Sequence, residues 1–255
     1  MLGVAVTGKH NSKRRALSFI LPMGLLLFAA SAASARVPEP YALEAVKLQA
    51  SSKLSKTLTD ALDPQGVRIF TNENGVRMNV CDIFWAKSVA GLDAPAAPGK
   101  LVYDMLKPGA LVGLVHFLPE ADQEYRKDFR DQKLKAGYYT LRYGVLDAGI
   151  GEHGPEPGDF VVLSPATLDR DASRVLPKSE LIRLSCLASH TKEPAVMSLI
   201  EVTTARKKFP DISTDYAGTA VLQVKLHLKP TKGAAAHDLA MAIVVLTPLA
   251  EGEGS

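Results

Sequence analysis

Residues 221–229 read VLQVKLHLK, an almost strict apolar–polar alternation. Such a period of two gives a strand with one dry and one wet face. Residues 239–246 (LAMAIVVL) follow across a turn at 230–237 and supply the expected partner strand. The same reading extends outward from this pair. Residues 138–146 (YYTLRYGVL), 159–164 (DFVVLS) and 110–118 (ALVGLVHFL) are rich in the aromatic and β-branched residues that favour strands. Residues 67–71 and 76–86 flank Asn72-Glu73-Asn74-Gly75, the pattern of a hairpin with a glycine-containing turn. Further strands are expected at 46–50, 101–105 and 195–203, with 90–100 as a loop and 122–133 as charged surface. Eight or nine short strands without regular βαβ alternation predict a mostly β chain, an antiparallel β-sandwich or jelly roll.

Two short peripheral helices complete the expectation. Leu54, Leu58 and Leu62 recur every four residues across 52–62. Residues 179–189 carry Leu181, Leu184 and Leu187 on one stripe, with Ser179 as the expected N-cap.

The N-terminal 35 residues have a different character. Lys9, Lys13, Arg14 and Arg15 occur there with no acid, followed by the apolar run ALSFILPMGLLLFAA at 16–30 and small residues at Ala33 and Ala35. A positive end, a short apolar core and an A-x-A exit predict a signal peptide over residues 1–35. The alternative is an uncleaved anchor, although the core is shorter than the roughly 20 apolar residues of a spanning helix. The expected organisation is thus signal peptide 1–35, N-terminal extension 36–65, β-sandwich domain 66–248 and tail 249–255, with a periplasmic or secreted destination.

Charge follows from this division. The chain has 30 Lys+Arg and 27 Asp+Glu; four of the bases and none of the acids lie before Arg36, so the remainder carries 26 against 27. A near-neutral mature chain lacks the basic stripe expected of a nucleic-acid binder. After the signal no apolar run is long enough to span a membrane. Cys81 and Cys186 could pair in an oxidising compartment, or stand as two separate buried thiols.

Residues 82–87 (DIFWAK), the Pro108-Gly109 turn into LVGLVHF, LKAGYYTLRYGVL at 134–146 and the Gly/His loop into DFVVLSP together cover about a third of the chain. This combination resembles a group of uncharacterised exported bacterial β-sandwich proteins, and LKAGYYTL is similar to a strand of the bacterial domain of unknown function 2911. The resemblance implies a β-sandwich and export, with no activity to carry over.

Chemistry-bearing residues are sparse. The nucleophile elbow, phosphate-binding glycine loop, H-E-x-x-H and C-x-x-C are absent from the sequence. The candidate ligand-binding site is the loop at 147–158, with Glu152 and His153 at its centre and Asp159 at the start of the next strand. A histidine beside carboxylates could hold a metal or move a proton, and the same residues could form a solvated turn. His116 lies in an apolar strand on the face opposite Val115 and Phe117, Cys186 and His190 are four apart, and His227 shares the Lys225 face. Tyr139, Leu141 and Tyr143 share one strand face and Tyr138, Thr140 and Arg142 the other, so that one set is expected in the core and the other wet. Two functions follow as expectations. One is a non-catalytic exported β protein binding a small ligand or an envelope partner. The other is a metal-assisted enzyme or metal carrier using His153 with Glu152 or Asp159. The cofactor and the ligand are not specified by these residues.

Overall fold

A computed structural model describes residues 40–73, 76–96, 101–119, 125–127, 132–146, 158–202, 208–214, 219–230 and 235–246. The chain divides into Met1–Val37, outside those residues, and Pro38–Ser255.

The described strands are β1 (Tyr41–Lys47), β2 (Gln65–Glu73), β3 (Val76–Trp85), β4 (Val89–Gly91), β5 (Leu111–Phe117), β6 (Tyr125–Lys127), β7 (Lys133–Lys135), β8 (Gly137–Leu146), β9 (Gly158–Pro165), β10 (Val196–Ile200), β11 (Asp211–Thr214), β12 (Ala220–Pro230) and β13 (His237–Leu246). Two helices join them, α1 (Lys56–Ala61) and α2 (Lys178–Ser189). The chain is therefore mostly β, as its alternation predicts. The VLQVKLHLK segment pairs antiparallel with LAMAIVVL, Leu222 facing Ile243 and Val224 facing Met241.

The sandwich is corrected to a single sheet that nearly closes into a barrel. The hydrogen-bonded order is β1-β2-β3-β5-β8-β9-β10-β13-β12-β11, with β4 parallel to the far end of β12. β6 and β7 form a separate small ribbon. The corner that keeps the halves together is β10. Its first residues, Val196–Ser198, pair with β9, whereas Leu199 and Ile200 pair with β13. One short strand thus passes the ladder from one half to the other instead of ending a sheet. Register shifts in the β2–β3, β5–β8 and β12–β13 ladders add the local twist that curls such a sheet.

Alternation then sorts the side chains. Ile69, Ile83, Val115, Leu141, Tyr143, Val161, Leu163, Leu222, Val224, Met241 and Ile243 are buried on the inward faces. Outside, Phe160, Val162 and Val196 form a second cluster with Leu176, Leu181 and Leu184, so α2 packs on the outer face of β9 and β10. Leu54, Leu58 and Leu62, from the predicted leucine repeat, are all buried in the main core.

Local expectations differ in four places. β1 begins at Tyr41, earlier than the alternation at 46–50 suggests, because its seven residues pair with β2 along its length. Residues 101–105 form turns, and a strand lies instead at Val89–Gly91, where pairing with Leu228–Pro230 supplies the extended conformation. β11 has no sequence signal of its own and is a strand through its pairing with β12. The N-cap of α2 is Pro177, without a side-chain cap bond, and not Ser179.

Candidate functional site

The wet face expected on β8 does not exist at its centre. Thr140 and Arg142 are fully buried, because residues 165–177 cover that side of the strand. The Arg142 guanidinium uses all five of its N–H groups. Nε and one Nη2 hydrogen donate to Asp169 at 2.6 and 2.8 Å, a bidentate pair. Nη1 donates to the carbonyls of Gly109 (2.9 Å) and Arg174 (2.6 Å), and Nη2 also to that of Asp171 (3.0 Å). Thr140 donates to Asp169 at 2.6 Å. One side chain therefore holds two separate stretches of backbone, the Pro108-Gly109 turn and residues 171–174, against β8.

The Pro108-Gly109 turn, and residues 175–177 just beyond Arg174, are walls of a groove. It occupies about 390 Å³ and is lined by the Pro108-Gly109 turn, Gly144 and Val145 of β8, residues 175–177, and the first turns of α2 with Lys178, Leu181 and Ile182. Most of that lining is apolar. Two glycines are required by its close approaches. Gly109 has φ +84°, and a Cβ there would lie 1.9 Å from the Leu176 carbonyl oxygen. A Cβ on Gly144 would lie 2.6 Å from Val162 Cγ2, at the seat of α2. Backbone bonds close the frame: Gly109 N–H donates to Tyr143 O at 2.7 Å and Leu176 N–H to Gly109 O at 3.2 Å. Arg174 pairs with Glu180 at 2.8 Å beside the same helix start.

The residues singled out from sequence are placed apart from this groove or outside the description. Glu152 and His153 lie outside the described residues. Asp159 is buried and faces inward. Its carboxylate accepts from the backbone N–H groups of Tyr103 (2.6 Å) and Val102 (3.3 Å) and from the Tyr143 hydroxyl (3.3 Å). Tyr103 carries this anchor onward, donating to Ile200 O at 2.6 Å and accepting from Ala242 N–H at 2.9 Å, at the β10–β13 corner. Burial pushes the Tyr103 phenol up to about 12, with a smaller push from Asp159. Burial also raises Tyr143, helped by the Asp159 charge.

His116 stands on the outer face, half-buried and stacked on Tyr138 at 3.9 Å between ring centroids, with the planes 8° apart. Asp82 faces it across the ladder and is held bidentate by Arg68. Burial lowers the His116 pKa, against a smaller opposing pull from Asp82; Lys53 and Arg68 add to the lowering. His227 is exposed and faces Asp238, as its place beside Lys225 suggests. The two cysteines are not joined: Cys81 is buried in β3 and Cys186 half-buried in α2. Burial, then the Glu193 charge, raises the Cys186 thiol. Among the described residues, no group of three His, Cys, Asp or Glu side chains is arranged to hold a metal ion. No helix among them is long and apolar enough to cross a membrane.

Sequence reasoning passed over the groove because its walls come from separate segments. Arg142 within an otherwise apolar strand was the available signal. Compared with known proteins, the chain matches no family model, no curated protein and no solved structure.

Proposed function

We propose that the protein is exported to the cell envelope and there binds a small, largely apolar molecule, without catalysis, in the groove between the Pro108-Gly109 turn and α2. The observation that carries this reading is the groove itself: a mainly apolar recess of about 390 Å³, one wall of which is tied through the Gly109 carbonyl to the arginine of a fully buried ion pair. Its size falls in the range of small-molecule sites, and preformed walls lower the ordering cost of binding. Export rests on the composition of residues 1–35, and the resemblance across 82–165 supports it.

A fluorescent apolar probe such as anilinonaphthalene sulfonate tests the site. Titration of the purified protein should saturate, and Ile182→Trp, which fills the groove from a half-buried position, should weaken binding at least about tenfold, equivalent to about 1.4 kcal/mol. Unchanged affinity in a variant that melts like the wild type would overturn the assignment. Export is read separately: the N-terminal residue of protein from the periplasmic fraction should be Arg36. Metal analysis of the same preparation decides the other expectation, since stoichiometric metal lost on His153→Ala would replace this reading with a metal-dependent one.

A further inference from the structure

The groove has one polar feature within its apolar lining. On β8, Tyr143 turns its backbone toward the Pro108-Gly109 turn: its N–H donates to Ala110 O at 3.0 Å and its carbonyl accepts from Gly109 N–H at 2.7 Å. Backbone groups alternate in direction along an antiparallel strand. β8 pairs with β9 here without a register shift, Tyr143 facing Val161 and Val145 facing Asp159. Val145, two residues on, therefore also turns its N–H and C=O away from β9, to the side of the groove it lines. The turn does not follow it. Pro108 has no N–H, while Lys107 donates to Ala90 O at 3.1 Å and accepts from Ala110 N–H at 3.0 Å. Among the described residues, no backbone group pairs with Val145 on this side. Its side chain packs against the main core, so the strand edge is what Val145 offers to the groove.

Resting on the groove as the binding site, we infer that its ligand is a peptide: a short extended segment that adds to β8 at Val145 and lays apolar side chains under α2. A ligand made only of hydrocarbon would cover the Val145 N–H and C=O and leave both without water. A peptide residue set antiparallel opposite Val145 supplies a carbonyl to the first and an N–H to the second. The pleat then decides which side chains enter the groove. Val145 packs inward, whereas a Cβ on Gly144 would point the other way, 2.6 Å from Val162 Cγ2 and 3.4 Å from Leu181 Cδ2. The ligand residues on either side of the paired one share the Gly144 face. That face of the groove is walled by Leu176 and Leu181, both buried, and by half-buried Ile182. The recognised pattern is thus apolar–any–apolar, read through one exchanged pair of backbone bonds. β8 ends at Leu146, so the exchange is limited to Val145. The apolar side chains supply most of the affinity, and the backbone pair selects the chemical class.

Competition against anilinonaphthalene sulfonate on the full chain tests this. Acetyl-leucyl-alanyl-leucinamide should displace the probe. Its analogue with lactic acid in place of alanine, an ester that lacks the central N–H, should bind at least about tenfold more weakly. Bound peptide should also slow hydrogen exchange at the Val145 amide at least about tenfold. Equal affinity for peptide and ester overturns the inference. So does a bound peptide that leaves exchange at Val145 unchanged, or a peptide that fails to displace the probe. In each of these cases the groove still stands as the binding site if Ile182→Trp weakens the probe. Unchanged probe affinity in that variant overturns the groove and its peptide together.

Discussion

Asp159 and Asp169, two of the three carboxylates buried among the described residues, are satisfied in opposite ways. Asp159 lies inside the near-barrel and accepts from neutral donors: two backbone N–H groups and the Tyr143 hydroxyl. Asp169 lies outside β8 and is paired with a fully buried arginine. The first arrangement fixes one segment, residues 101–106, across the barrel, and through Tyr103 it pins the β10–β13 corner. The second fixes two segments at once, the Pro108-Gly109 turn and residues 171–174, because the arginine has donors left over for three carbonyls. Neutral bonding closes the core, whereas the ion pair shapes a recess. A groove requires walls that do not collapse onto each other, and a charged hub that must keep every partner supplies that rigidity.

The contrast can be broken most sharply at Asp169. Asp169→Ala leaves Arg142 buried without its counter-charge, which should cost about 3–5 kcal/mol in urea unfolding and abolish probe binding. Replacing both partners with apolar residues, Arg142→Leu with Asp169→Leu, should recover much of the stability without recovering the groove. A double variant that binds the probe normally would show that the hub does not shape the site.

At the neutral anchor the expected loss is smaller. Tyr103→Phe strips the hydroxyl that joins Ile200 O to Ala242 N–H and should cost about 1–3 kcal/mol. Amide exchange should quicken at Ala242 and its neighbours, with affinity for the probe unchanged. Loss of binding in this variant would erase the distinction between the two regions.

The smallest effect is expected on the outer face at His116. Burial lowers its pKa from 6.5, so the folded state prefers neutral imidazole and the unfolded chain binds more protons between the two values. Stability should therefore decline as pH falls through about 6.5 and level off below the depressed folded value. His116→Gln should remove that part of the decline, read as the difference in melting temperature between pH 7.5 and 5. Parallel pH profiles for the two proteins would assign the acid sensitivity elsewhere.

Much of the β framework was legible because it is written in local alternation. β12 follows from its period-two pattern, β13 as its apolar partner across a turn, β8 from its aromatic and β-branched residues, and α2 from the spacing of Leu181 and Leu184, although Leu187 of the same stripe is exposed. The closure of the sheet was not legible, since it depends on β10 dividing its five residues between two neighbours. β4 and β11 take their conformation from partners distant in sequence. Burial of Arg142 was hidden for a related reason: Asp169 lies 27 residues away in a polar stretch that reads as surface. The groove had no pattern at all, because no single segment builds it. Asp159 stands out in the sequence as a candidate ligand-binding acid at a strand start, whereas its burial, with donors from 102, 103 and 143, depends on contacts no local window contains.

The most direct test of the central claim is amide chemical-shift mapping of the isotope-labelled protein during titration with the apolar probe. The groove assignment predicts saturable changes concentrated at Gly109, Gly144, Val145, Leu181 and Ile182, with β1 and the Tyr103–Asp159 anchor unmoved. Changes centred on β1, on the barrel interior or on Glu152 and His153, with the groove amides still, would contradict it.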